Sequence, residues 1–213
     1  MSTSIGVRGE RPRLQVLSDL IFGVALSISA LTLVGQQPGS IEELSFSLGL
    51  YGFSFLILIS VWKLYSSITS VIHTETSLLL NLNIGLLFFV SIEPYLFNEL
   101  FALRGALYIF VSGMYSIDLS AMVFITSTFE HFVIESQKDV LPKDQISWYK
   151  NDRNMNLVIA MVFAASVIPF FGDTTLFISQ AGNAIYLITL RNVMWLLGLV
   201  IGWSKRLLIG ARG

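Results

Sequence analysis

Six stretches of this chain, 14–34, 44–69, 77–97, 106–129, 153–171 and 182–203, are dominated by apolar residues, and that repetition constrains the fold more than any other feature. Crossing the hydrocarbon of a bilayer takes about 20 mostly apolar residues in a helix. The purely apolar part of the fifth stretch, 157–171, falls short of this. We therefore extend it backward through Arg153, so that its polar end lies at the headgroups. Composition agrees, with 54% of residues hydrophobic and 13% charged, against roughly 25% charged in soluble domains. The expected architecture is an all-α, multi-pass membrane protein, one domain over residues 1–213 with six transmembrane helices. Turn signals at 35–40, 73–76, 98–99, 135–152 and 172–173 separate the helices.

Orientation follows from the basic residues, which accumulate on the cytoplasmic side of short loops. Arg8, Arg11 and Arg13, then Lys138, Lys143, Lys150 and Arg153, then Lys205, Arg206 and Arg212 all fall on one side of a six-helix arrangement. The other side carries Glu42, Glu43, Glu99 and Asp173 with Arg104, so both termini are expected to be cytoplasmic. The polar, basic first dozen residues lead into an apolar run of about 20 with no small-residue cleavage site after it, which reads as a retained first helix. Trp148 and Tyr149 suit an interfacial segment as well as a solvated loop.

The same residues exclude several chemistries. With 13 Lys+Arg against 14 Asp+Glu the net charge is -1, so no basic field points to nucleic acid. There is no cysteine, and the two histidines, His73 and His131, stand in no ligand spacing. No Walker loop, HExxH, GxSxG or regular array of intramembrane arginines occurs, and no TVGYG-like filter. An enzyme, a cofactor and a resident metal are accordingly not expected.

Chemistry concentrates at the threshold of the first helix, in the RxxxLSD run formed by Arg13, Leu17, Ser18 and Asp19. A carboxylate inside hydrocarbon costs on the order of 2.5–3.5 kcal/mol unless it has partners, so Asp19 must be held by something. At 100° per residue Leu17, Leu20, Val24, Ile28 and Leu31 form one stripe with Ser27 at its edge, while Asp19 points nearly the opposite way. Gly23, Ala25, Ser29 and Ala30 flank the stripe and would let helices approach closely. From periodicity alone such a stripe is more simply a packing or lipid-facing surface.

The RxxxLSD run followed at once by an apolar helix resembles the RxxxFSD signature of the transmembrane protein 175 family, potassium channels of endosomes and lysosomes with prokaryotic relatives. Arg13, Ser18 and Asp19 coincide with the signature, Leu17 stands in place of its phenylalanine, and the six-helix repeat covers nearly the whole chain. The resemblance implies a single-repeat prokaryotic member, in the plasma membrane, that assembles with itself as a homotetramer and passes potassium ions. It further implies that helix one lines the pore, with Val24, Ile28 and Leu31 at the narrowest point as gate and selectivity element. Ser27 would be a polar neighbour, and Arg13, Ser18 and Asp19 would brace the helix without touching the ion. In helix two, family members place a tryptophan and about one turn later a histidine; here Trp62 is followed by Tyr65. Lys63, beside Trp62 and at about the depth of Asp19, either supports the motif or snorkels to the headgroups.

The rival reading is a secondary transporter or proton pathway using Asp19, Glu93, Asp118 and Arg191, since intramembrane ionisable groups are functional candidates. Helix one has no internal break of the kind transporter sites use. Asp118 and Arg191 lie deepest in their helices, and the cheapest arrangement for them is a mutual buried ion pair, with Glu93 as competing partner for Arg191.

Overall fold

The computed structural model describes residues 13–35, 39–71, 76–102, 105–138, 140–181 and 184–210. Arg8, Arg11, Arg104, Arg212 and His73 lie outside them, as do the side chains of Arg13, Lys205 and Arg206. The elements run α1 Arg13–Gly35, α2 Ile41–Thr69, α3 Ser77–Ala102, α4 Ala106–Gln137, α5 Lys143–Ala165, α6 Pro169–Asp173, β1 Thr175–Ala181, β2 Ala184–Thr189 and α7 Leu190–Gly210. Helices α2, α3 and α4 are long and apolar enough to cross a membrane, and α1 and α7 contain shorter apolar stretches. The 32 residues of α4 rise about 48 Å, well beyond the roughly 30 Å of hydrocarbon.

Helix α1 rests on α2 and α3, α4 packs against α3 and most extensively against α5, and α7 lies on α5. Phe22, Tyr65, Leu86, Val90, Tyr115, Leu119, Met122 and Trp195 are among the core side chains. Hydroxyls tie α4 to α5 along their length: Ser120 donates to the Ala160 carbonyl at 2.9 Å and Ser127 to that of Arg153 at 3.1 Å. Close approach of α7 depends on Gly198, where an added Cβ would collide with the Phe163 ring of α5. Gly105 opens α4 with φ +62°, a conformation that L side chains rarely adopt.

Several expected boundaries need correction. Helix α2 begins at Ile41, not at 44, because Ser40 accepts from the Glu43 amide at 3.1 Å while the Glu43 carboxylate reaches back to the Gly39 amide at 2.6 Å. The expected fifth helix, 153–171, is interrupted. Helix α5 starts ten residues earlier at Lys143 and ends at Ala165, and Pro169, which has no amide hydrogen, opens the separate α6 after Ile168 adopts an extended conformation.

The expected sixth helix, 182–203, opens as a strand. Residues 175–181 and 184–189 pair as an antiparallel hairpin, and α7 begins only at Leu190. This hairpin is the departure from an all-helical chain among the described residues. Its strands are rich in Ile, Leu, Thr and aromatic residues and are separated by the dipeptide Gly182-Asn183, a composition that favours strands around a two-residue turn.

Candidate functional site

Helix α1 has two faces of opposite character. Ser18, Phe22, Ala25 and Ser29 recur at helical spacing and are buried against α2 and α3. Leu17, Leu20, Val24, Ile28 and Leu31 form the other side, with Val24, Ile28 and Leu31 still 50, 42 and 64% exposed on the single subunit. Burying one such side chain is worth about 1.5–3 kcal/mol in water. In hydrocarbon that drive is absent, so the face is free to meet lipid, a pore or a neighbouring helix.

Polar groups fasten the buried face at two heights. At the lower one the Ser18 hydroxyl lies 2.8 Å from the Tyr65 hydroxyl of α2 and 3.2 Å from the Asn83 amide nitrogen of α3, all three residues being buried. Next to it the Trp62 indole donates to the Asp19 carboxylate at 3.0 Å. The Tyr65 ring packs between Phe22 and Phe129, with both centroid separations at 6.0 Å, which fixes the direction of its hydroxyl. At the upper height, three helical turns on, the Ser29 hydroxyl lies 3.4 Å from that of Ser54 in α2. Ser54 donates in turn to Glu93 of α3. A serine inside hydrocarbon needs such partners, because an unmet hydroxyl there costs several kcal/mol, on the order of 2–7.

Ser18 and Asp19 of the signature are thus brought together with α2 and α3. Arg13 opens α1, and its side chain lies outside the described residues. Ser27 is exposed at the edge of the apolar stripe, and its hydroxyl donates to the Gly23 carbonyl one turn back at 2.8 Å. Lys63 is exposed, and its neighbour Trp62 donates to Asp19. Tyr65, Asn83 and Ser54 complete the anchorage without having been singled out as its members. The trace they leave in the sequence is a polar side chain at helical spacing inside an apolar segment, on the helices adjacent to α1.

The proposed pair of Asp118 and Arg191 is not formed. Arg191, 1% exposed, donates through Nε to the Ser166 carbonyl at 2.7 Å and through its two terminal nitrogens to the carbonyls of Ile109 at 2.9 Å and Val167 at 3.2 Å and to the Ser112 hydroxyl. Its charge therefore sits at the carboxy-terminal end of α5, where the helix dipole favours a cation. Gly172 of α6 completes the enclosure, since a Cβ there would lie 2.6 Å from the guanidinium carbon. Neither carboxyl oxygen of Asp118 has a hydrogen-bond partner, although the residue is 2% exposed. Glu93, the competing partner for Arg191, is instead bonded to Ser54 and Tyr115. No direct hydrogen bond links any two of Asp19, Glu93, Asp118 and Arg191 among the described residues.

These features define a multi-pass helical membrane protein whose first helix presents a bare apolar face and is fastened from behind. Residues 13–94, which hold α1, α2 and most of α3, match the family model described as endosomal/lysosomal potassium channel TMEM175. A crystal structure described as a lysosomal potassium-selective channel TMEM175 homolog from Chamaesiphon minutus shares the fold with a TM-score of 0.58. The alignment covers 90% of this chain and 96% of that one at 15% sequence identity. No curated protein matches the chain significantly.

Proposed function

We propose that this chain is a potassium-selective cation channel. It assembles with itself as a homotetramer in a prokaryotic plasma membrane, with both termini cytoplasmic. Four copies of α1 surround a central pore whose constriction is made by Val24, Ile28 and Leu31. The observation that carries this reading is the division of α1 into a fastened polar-ended face and a bare apolar face, within the stretch that matches the family.

An apolar ring narrow enough to expel water blocks ions until it widens, and it then favours the cation that sheds its water at lower cost, which is potassium over sodium. Ser27 adds a polar step just before Ile28. Its proton is directed to the Gly23 carbonyl, which leaves the oxygen lone pairs for a partly dehydrated cation. Ser18, Asp19 and Trp62 hold the helix at its base and do not contact the ion. The unbroken run of α1 from Arg13 to Gly35 distinguishes it from the discontinuous helices that form transporter sites.

Potassium against sodium flux into liposomes carrying the purified protein tests the reading, together with single-channel recording in planar bilayers. The intact chain should give unitary currents that favour potassium. Ile28→Asn and Leu31→Ala should ease wetting of the constriction and raise conductance several-fold. If substitutions at Val24, Ile28 and Leu31 all leave conductance and ion preference unchanged, α1 does not line the pore.

A further inference from the structure

We infer that Glu93, a residue of α3 remote from the bare face of α1, is a positioning residue for the constriction and acts through Ser54 and Ser29. The inference rests on the reading that α1 lines the pore. Glu93 and Ser54 are fully buried. The Ser54 oxygen lies 3.0 and 3.1 Å from the two carboxyl oxygens of Glu93, and the Tyr115 hydroxyl of α4 donates to the first of these at 3.1 Å.

A hydroxyl carries one proton. With the Ser54 proton directed at Glu93, the Ser54 oxygen faces Ser29 as an acceptor, and Ser29 is the donor across their 3.4 Å separation. A directed chain therefore runs from α1 through α2 to the Glu93 carboxyl on α3, where Tyr115 meets it from α4. The far end is packed against α7. Tyr115 stacks edge-on against Trp195 of α7 with centroids 4.8 Å apart, and the Trp195 indole donates to Ser116 at 2.9 Å.

Ser29 directly follows Ile28 and precedes Leu31 by two residues, so its anchorage sets the rotation and depth of both constriction side chains. The lower fastening at Ser18 is three turns away and cannot do this alone. Replacing Glu93 with Gln puts an NH2 donor where one carboxyl oxygen stood. Where Ser54 accepts from that NH2, its own proton turns toward Ser29, and the direction of the Ser29–Ser54 bond reverses.

The test uses the full-length chain in planar bilayers, with permeability ratio, unitary conductance and thermal unfolding measured on Glu93→Gln, Ser54→Ala, Ser29→Ala and the Ser29→Ala/Glu93→Gln double variant. Each single variant should shift the potassium-to-sodium ratio by about twofold to tenfold, the range set by one neutral hydrogen bond. The double variant should shift it no further than the larger single one, because both act on one chain. Unchanged ratio and conductance in Ser54→Ala and Ser29→Ala overturn the inference even if Glu93→Gln fails to assemble. Additive shifts in the double variant, or an altered unfolding temperature with unaltered permeation, overturn it as well. An intact chain that shows no potassium preference would refute the channel reading itself, which keeps the two failures distinct.

Discussion

Two regions of the molecule hold charged side chains in hydrocarbon, and they do so differently. At the base of α1, side chains answer side chains: Trp62 donates to Asp19, and Tyr65 and Asn83 meet Ser18. Around Arg191 the backbone answers instead. Carbonyls at the end of α5 and in the first turn of α4 surround the guanidinium, with Ser112 the side-chain acceptor. The first arrangement tolerates exchange of one partner for another of similar chemistry. Apart from Ser112, the second has acceptors that no substitution can alter, so its tolerance depends chiefly on the arginine and on the space left for it. That difference teaches that a buried charge does not imply a buried counter-charge.

The sharpest way to break this contrast is at Arg191. Replacing it with Met leaves the carbonyls of Ser166, Val167 and Ile109 and the Ser112 hydroxyl without their donor, and the loss should be on the order of 3–5 kcal/mol or more. Lys should rescue little, since one ammonium cannot span acceptors arranged for a planar fork. Gly172→Ala should destabilise comparably, because its methyl would fall on the guanidinium. Thermal unfolding in detergent and the yield of assembled protein report both effects. A near-normal melting temperature for Arg191→Lys would show that charge alone, and not the fork, is what α5 requires.

At the base of α1 the expected effects are smaller. Trp62→Phe removes one donor from Asp19 and should cost about 1–3 kcal/mol. Asp19→Ala should lower assembly by at least as much, whereas Asp19→Asn, which keeps an acceptor oxygen for the indole, should recover most of the loss. Potassium preference should move little in any variant that still assembles. A stable Asp19→Ala protein with normal melting and altered preference would place Asp19 in the permeation path.

What the sequence discloses divides along the same line. Length and apolar content made α2, α3 and α4 legible, and the 3.6-residue period separated the two faces of α1 correctly. Trp62 was recognisable as a companion of the signature, and Tyr65, about one turn further on, proves to be a partner of Ser18. The hairpin was not read, because a short apolar run is compatible with helix or strand until the turn chemistry of Gly182-Asn183 is weighed. Pro169 marked the break between α5 and α6, and Ser40 with Glu43 the true start of α2, but both signals lie at the edges of runs judged by hydropathy alone. The environment of Arg191 was beyond reach for a deeper reason. Backbone carbonyls carry no sequence identity, so a search for partners by residue type finds Asp118 and misses the actual acceptors.

Asp118 supplies the smallest expected effect and the most discriminating one. It is buried in α4, and neither of its carboxyl oxygens is hydrogen-bonded, so removing the group forfeits no bond. Replacing an uncompensated buried polar group with an apolar one of similar volume removes its desolvation cost. Asp118→Leu should therefore unfold within about 1 kcal/mol of the parent or above it, as apolar replacements of buried charged groups often do. Exchange of the two residues, Asp118→Arg with Arg191→Asp, should recover nothing over the worse single variant, because Arg191 draws its stability from α4 and α5 carbonyls that an aspartate would repel. Recovery in that double exchange, or a loss in Asp118→Leu as large as in Arg191→Met, would mean that the two side chains do meet in the working protein. The backbone-held arginine would then be one of two states of the region.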